Sequence, residues 1–133
     1  MPEYSNDLVQ YRLTKAEECL KDAGDLLNNG SFSSSINRSY YAMFTAARAV
    51  LAQDGKDFSK NSGVISYFQR YYVKTGLVEK RFSKYLMDAF QFRNNADYAD
   101  FYIVLKEDAE EQYLAAVEFL KMVRDLIEEK NTN

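Results

Sequence analysis

Arg93 is the residue with the clearest capacity for chemistry. It shares a helical face with Phe82, Leu86 and Ala89, where the spacing calls for an apolar side chain. A guanidinium aimed inward must be paired or must border a cleft, because burying it alone costs several kcal/mol. The residues that follow, Asn94-Asn95-Ala96-Asp97-Tyr98-Ala99-Asp100, are short, polar and helix-breaking, so the pattern predicts a turn from Asn94 onward. An inward arginine followed by a polar turn is an anion site, since its planar fork of N–H donors matches a phosphate. The alternative is that Arg93 pairs with Asp97 or Asp100 and only pins the loop.

Other chemistries have less to stand on. The chain has no histidine and one cysteine, which excludes a metal centre built from Cys and His. The five glycines are isolated at or near helix ends, and none forms a phosphate-cradling loop. Cys19 lies on an apolar face and reads as core packing rather than a reactive thiol. Glu107, Asp108, Glu110 and Glu111 sit where a helix begins and complement its dipole, so a solvated first turn is expected there, not a metal. Eleven tyrosines could stack on bases. Tyr40, Tyr71 and Tyr113 fall on apolar stripes and read as core; Tyr41, Tyr98 and Tyr102 are the candidates for exposure or an interface.

The element that must position Arg93 is the stretch from Ser34 to Leu51. At about 100° per residue, Ile36, Tyr40, Met43, Phe44, Ala47, Val50 and Leu51 share one face. Ala42, Ala46 and Ala49 add a second, small-residue stripe. Only Asn37, Arg38, Tyr41, Thr45 and Arg48 remain on the outer arc. Apolar over more than half its circumference, this is the central helix of a bundle.

Four further helices surround it in the pattern. A first, capped by Ser5 or Asn6, runs to about Leu27 and ends at Asn28-Asn29-Gly30, with Gly24 marking a close crossing. A third spans about Asn61 to Tyr72, a fourth about Val78 to Arg93, and a last about Leu105 to Lys130, after an irregular stretch from Asn94 to Val104. No alternating run bounded by hairpin turns suggests a strand. The expectation is an all-α, five-helix, up-and-down bundle forming one domain over 1–133, its core about 5–130.

With 133 residues, 47% of them hydrophobic and 28% charged, the composition is that of a soluble globule. No apolar run approaches a membrane span and the N-terminus lacks a signal-peptide order, so no membrane association and a cytoplasmic location are expected. The net charge of −3 hides an asymmetry. Residues 31–93 carry ten basic and four acidic side chains, whereas 1–30 carry three and six and 94–133 carry four and ten. Either the middle segment faces a polyanion, or oppositely charged helices face each other.

Three segments, in order, resemble the HEPN domain family: Ser39-Tyr40-Tyr41-Ala42-Met43-Phe44, Lys60-Asn61-Ser62-Gly63-Val64-Ile65 and Arg93-Asn94-Asn95-Ala96-Asp97-Tyr98. The last fits the Arg-x-x-Ala-Asp-Tyr signature of the family's small stand-alone prokaryotic branch. The resemblance implies a helical bundle that forms a homodimer with an arginine-lined cleft. It also implies a toxin–antitoxin-like pairing with a minimal nucleotidyltransferase, or else metal-independent endoribonuclease activity. Arg93 matches the family arginine and Asn94 the polar residue after it. Tyr98 stands where ribonuclease members place histidine, as does Asn61 for related proteins.

Cleaving RNA through its 2′-hydroxyl needs a proton acceptor and a proton donor with pKa values near ambient pH. An ordinary tyrosine, near pKa 10, is poorly matched to that task. The expected function is therefore a nucleotide- or RNA-phosphate-binding module needing no cofactor. Arg93 would hold phosphate, Asn94 donate a hydrogen bond, Asp97 orient Arg93 and Tyr98 stack, with Arg38 and Arg48 as further phosphate ligands. A structural adaptor, and a ribonuclease toxin using Asp97 or Tyr98, are the alternatives.

Overall fold

Burial over most of its circumference defines the second helix. In the computed structural model, which describes residues 3–132, five α-helices are present: α1 (Glu3–Asn28), α2 (Phe32–Gln53), α3 (Asn61–Phe68), α4 (Lys80–Tyr98) and α5 (Lys106–Thr132). Helix α2 packs against each of the other four. Both of its expected stripes are inside: Ile36, Tyr40, Met43, Phe44, Ala47, Val50 and Leu51 are buried, and Ala42, Ala46 and Ala49 are fully so. The outer arc of Asn37, Arg38, Tyr41, Thr45 and Arg48 stays at least partly accessible. No strand occurs among the described residues, and no helix among them is long and apolar enough to cross a membrane.

The α1–α2 hairpin is closed by glycine. Gly30 and Gly55 adopt φ of +81° and +73°, and the amides after them reach back to Leu26 and Leu51 at 2.9 Å. That left-handed ending satisfies carbonyls that each helix would otherwise leave open. Helix α1 begins at Glu3, so the expected caps Ser5 and Asn6 fall within its first turn, and the residue before it lies outside those described. Gly24 is the close crossing expected: a Cβ there would meet the Tyr113 hydroxyl at 3.1 Å. Inside the hairpin, the buried Ser35 hydroxyl donates to the Ala23 carbonyl at 2.8 Å.

Two expectations fail for local reasons. The third helix continues as a π turn over Gln69–Val73. Its wider turn rotates the register, so Tyr72 enters the core beside Phe68 while Tyr71, expected inside, is exposed. Tyr113 is only half-buried. Helix α4 does not stop at Arg93 but runs on to Tyr98, so the predicted turn at Asn94 is helical. Asparagine costs a helix well under about 1 kcal/mol. The i,i+4 contacts Arg93–Asp97 at 2.9 Å and Gln91–Asn95 at 3.3 Å offset that cost. Of the stretch expected to be irregular, only the part from residue 99 onward is so, through residue 105, and it leaves Phe101 at φ +58° with its ring in solvent.

The polar connection after α2 contains a fastener. Asp57 accepts from Arg48 and from Arg12, each at 3.1 Å, and from the Phe58 amide at 2.9 Å. Partial burial works upward on its pKa, but these bonds outweigh it and hold the carboxyl below its ordinary value.

Two predictions follow from the packing. Ala46→Leu should destabilise by about 1–3 kcal/mol in denaturant unfolding, because the small stripe leaves no room for extra methylenes. Asp57→Asn should cost about 1 kcal/mol at pH 7, a modest value since the pair is half-exposed. The folded carboxyl titrates below the unfolded one, so its stabilisation is present above about pH 4. The gap between wild type and variant should therefore close as pH falls from 4 toward 2.

Candidate functional site

The continuation of α4 places Arg93 and Asp97 one turn apart, on the side that meets α2. Arg93 is neither splayed into water nor sealed off; its side chain is 17% exposed. Nε lies 2.9 Å from Asp97 Oδ2, a charge contact whose N–H is not aimed well enough for a hydrogen bond. Nη2 donates to the Tyr41 hydroxyl at 3.2 Å, and Nη1 reaches Asn94 Oδ1 only at 3.5 Å. With five N–H donors on a guanidinium, most remain unspent.

Aromatic rings surround the cation. The Arg93 guanidinium lies 5.1 Å from the Tyr40 ring, 5.6 Å from Tyr41 and 5.7 Å from Tyr98. Each such contact contributes about 0.5–2 kcal/mol, according to how far it is desolvated. Partial burial works against the Arg93 charge, but the phenols of Tyr41, Tyr40 and Tyr98 and the Asp97 carboxylate outweigh it and raise its pKa. Arg93 is thus a fixed cation and not a proton acceptor. Burial likewise raises the pKa of Tyr40, against the pull of Arg93, so its phenol stays protonated.

A second ring of polar groups supports the first. Asn61, the first residue of α3, donates to the Tyr40 hydroxyl, and Asn37 on α2 donates to Asp97 at 3.4 Å. Beside Asp97 a notch of about 270 Å³ opens at the start of α2, lined by Ser33, Ser34, Asn37, Arg38 and Asp97. Arg93, Asn94, Asp97 and Tyr98 are therefore brought together, with Tyr98 72% exposed. Arg38 is next to them: its guanidinium lies 5.4 Å from the Tyr41 ring, which Arg93 contacts as well. Arg48 is elsewhere, paired with Asp57, about 15 Å along α2 from Arg38.

Sequence reasoning missed two participants. Tyr40 is core as expected, but the edge of that core is also what Arg93 rests on. Asn37 read as outer-arc filler; its spacing of one turn from Tyr41 was the available signal. Cys19 is half-buried against the core, and burial raises its thiol pKa despite the opposing pull of Arg38. Among the described residues no cluster of His, Cys, Asp or Glu is placed to hold a metal.

The charge asymmetry is only partly absorbed by pairing. Arg81 reaches Glu118 at 2.9 Å and Arg93 reaches Asp97. Arg38, Lys56, Lys60, Arg70, Lys74 and Lys80 make no ion pair among the described residues.

The link from Asn61 to Tyr40 is testable by a double-mutant cycle. Asn61→Ala and Tyr40→Phe should each cost about 1 kcal/mol in urea unfolding, and the double variant little more than either. Simple additivity would show that the two side chains do not act together.

Several known proteins are similar to this chain in sequence. A family model described as HEPN domain matches residues 9–126. Over 122 residues, 92% of each chain, the protein is 38% identical to a UPF0332 protein of Thermotoga maritima. It is 44% identical over 78 residues to a UPF0332 protein of Pyrococcus horikoshii, covering 59% of this chain and 55% of that one. A Methanocaldococcus jannaschii protein named "Putative toxin" is 31% identical over 98 residues, 74% of this chain and 67% of its own. The matched span runs from the first turns of α1 into the last turns of α5, around the one core: the chain belongs to the HEPN domain family.

Proposed function

We propose that this HEPN protein is a phosphate-binding module that engages a nucleotide or RNA phosphate through Arg93. The observation that carries the reading is the state of that guanidinium: charged, largely covered by three tyrosines, and with N–H donors left over. Asn94 adds a polar group at its edge and Asp97 fixes its orientation. The exposed Tyr98 ring is free to stack on a base, and Arg38 adds a second cation across Tyr41. Arg48 contributes only to a ligand long enough to reach it.

The relatives named as toxins support a toxin-related role, and the family resemblance supports work as a homodimer beside a nucleotidyltransferase. The ribonuclease alternative draws less support from the geometry. That alternative needs Asp97 or Tyr98 to move a proton, and Asp97 is already held against Arg93 and accepts from Asn37. The Arg93–Tyr41 hydrogen bond, which crosses between helices, favours a second reading, in which Arg93 only locks α4 against α2.

Calorimetric titration of a nucleoside monophosphate into wild type and Arg93→Ala separates these readings. A charge-assisted hydrogen bond of about 1.5–3 kcal/mol predicts a roughly 10- to 150-fold loss of affinity in the variant. Equal binding to both proteins, or binding to neither, removes the phosphate site. A lowered melting temperature alone would leave the locking role.

A further inference from the structure

A groove of about 610 Å³ runs between α1 and α2, on the opposite side of Arg38 from the Asp97 notch. Its walls are two helical stripes. From α2 come Arg38, Tyr41, Thr45 and Arg48; from α1 come Tyr11, Arg12, Lys15 and Cys19. The hairpin's antiparallel register is fixed by Ser35 bonding Ala23 at one end and Arg12 bonding the Arg48 carbonyl at 2.9 Å at the other. Lys15 therefore faces Thr45, and Cys19 faces Tyr41.

Four cations line one trough, and they are not equally committed. Arg12 is spent on the Arg48 carbonyl and on Asp57, with its side chain 12% exposed. Arg48 gives Nη2 to Asp57, yet its buried Nε has no hydrogen-bond partner. Lys15 and Arg38 make no ion pair among the described residues; each instead lies near a tyrosine ring, Lys15 at 5.8 Å from Tyr11 and Arg38 at 5.4 Å from Tyr41. Both rings are accessible, Tyr11 at 54% and Tyr41 at 36%. Cations that track a groove, interleaved with exposed aromatic faces, form the chemistry that holds a single strand: phosphates on the cations, bases on the rings. From Arg38 to Arg48 the helix advances about 15 Å, long enough for the cations to contact more than one phosphate of a single strand.

We propose that the α1–α2 groove binds a single-stranded polynucleotide, with Arg38, Lys15 and Arg48, in that order along the groove, on phosphates of one strand and Tyr11 stacked on a base. The proposal rests on the Arg93 reading in one respect: Tyr41 and Arg38 join the two places, so the strand continues toward Arg93. Lys15 and Tyr11 belong to the groove alone.

Fluorescence anisotropy of a labelled 12-residue oligouridylate, at about 50 and 200 mM salt, tests it. Wild type should bind, with a log–log salt slope near −2 for about three phosphates on a single strand. Lys15→Gln should reduce that slope by about 0.7. Tyr11→Ala should weaken binding about 5- to 150-fold while leaving the slope unchanged, as loss of one stacked base requires. Both positions are solvent-facing, and both variants should keep the monophosphate affinity of wild type, which shows that they fold. Oligonucleotide binding that is absent from wild type, or unaltered in both variants, overturns the groove whatever Arg93→Ala does to the monophosphate. Phosphatidylserine vesicles that bind wild type but not Lys15→Gln, with no oligonucleotide bound, overturn it in favour of a lipid surface.

Discussion

Everything in this bundle follows from enclosing α2. A helix that is apolar over most of its circumference must be covered on all those sides, and four other helices do so. The alanine stripe sets how near a neighbour comes, and the aromatic stripe fills the space left on the other side. One narrow arc is left, from Asn37 to Arg48. Beyond the exposed serines of its first turn, the polar groups that the middle of α2 can offer to a ligand emerge there, which is why Arg38, Tyr41 and Arg48 stand in one row.

Arg93 reaches the same arc from α4. It meets α2 at Tyr40 and Tyr41, where the aromatic core gives way to the polar row, and the adjacent tyrosines serve different ends. Tyr40 is core, anchored by Asn61 on α3. Tyr41 faces outward and accepts from Arg93. A cation at the margin of a core keeps enough water to avoid the full cost of burial, while the rings and Asp97 restrict where it points. The arrangement joins three helices through a few polar contacts, so the position of Arg93 depends on the packing of the whole bundle.

The fold was largely legible in the sequence because a 3.6-residue period, sustained over helices this long, is a strong signal. Gly30 marked the end of the first helix for a conformational reason that needs no tertiary information. The failures came where a local preference was weak or a register shifted. Asn94 and Asn95 disfavour helix by little, and side-chain contacts one turn apart carried α4 on to Tyr98. Across a π turn Tyr72 stays inside and Tyr71 turns out, a rotation the apolar pattern does not encode. Arg93 stood out as a charge on an apolar face. Lys15 and Tyr11 gave no such sign, since each is ordinary on the outer face of α1. Only the register of the hairpin brings them opposite Thr45 and Arg48.

Tyr41 has a consequence for how the two ends of this row communicate. One ring lies between two guanidiniums, Arg38 at 5.4 Å and Arg93 at 5.6 Å, and its hydroxyl is bonded to the second. An anion that draws Arg38 away from the ring changes the field and the freedom of the phenol that Arg93 holds. Thermodynamic linkage makes that influence mutual: whatever factor occupancy at Arg38 imposes on affinity at Arg93, occupancy at Arg93 imposes on Arg38. Were both cations to hold a phosphate, this single side chain would be what links them, with no moving domain required.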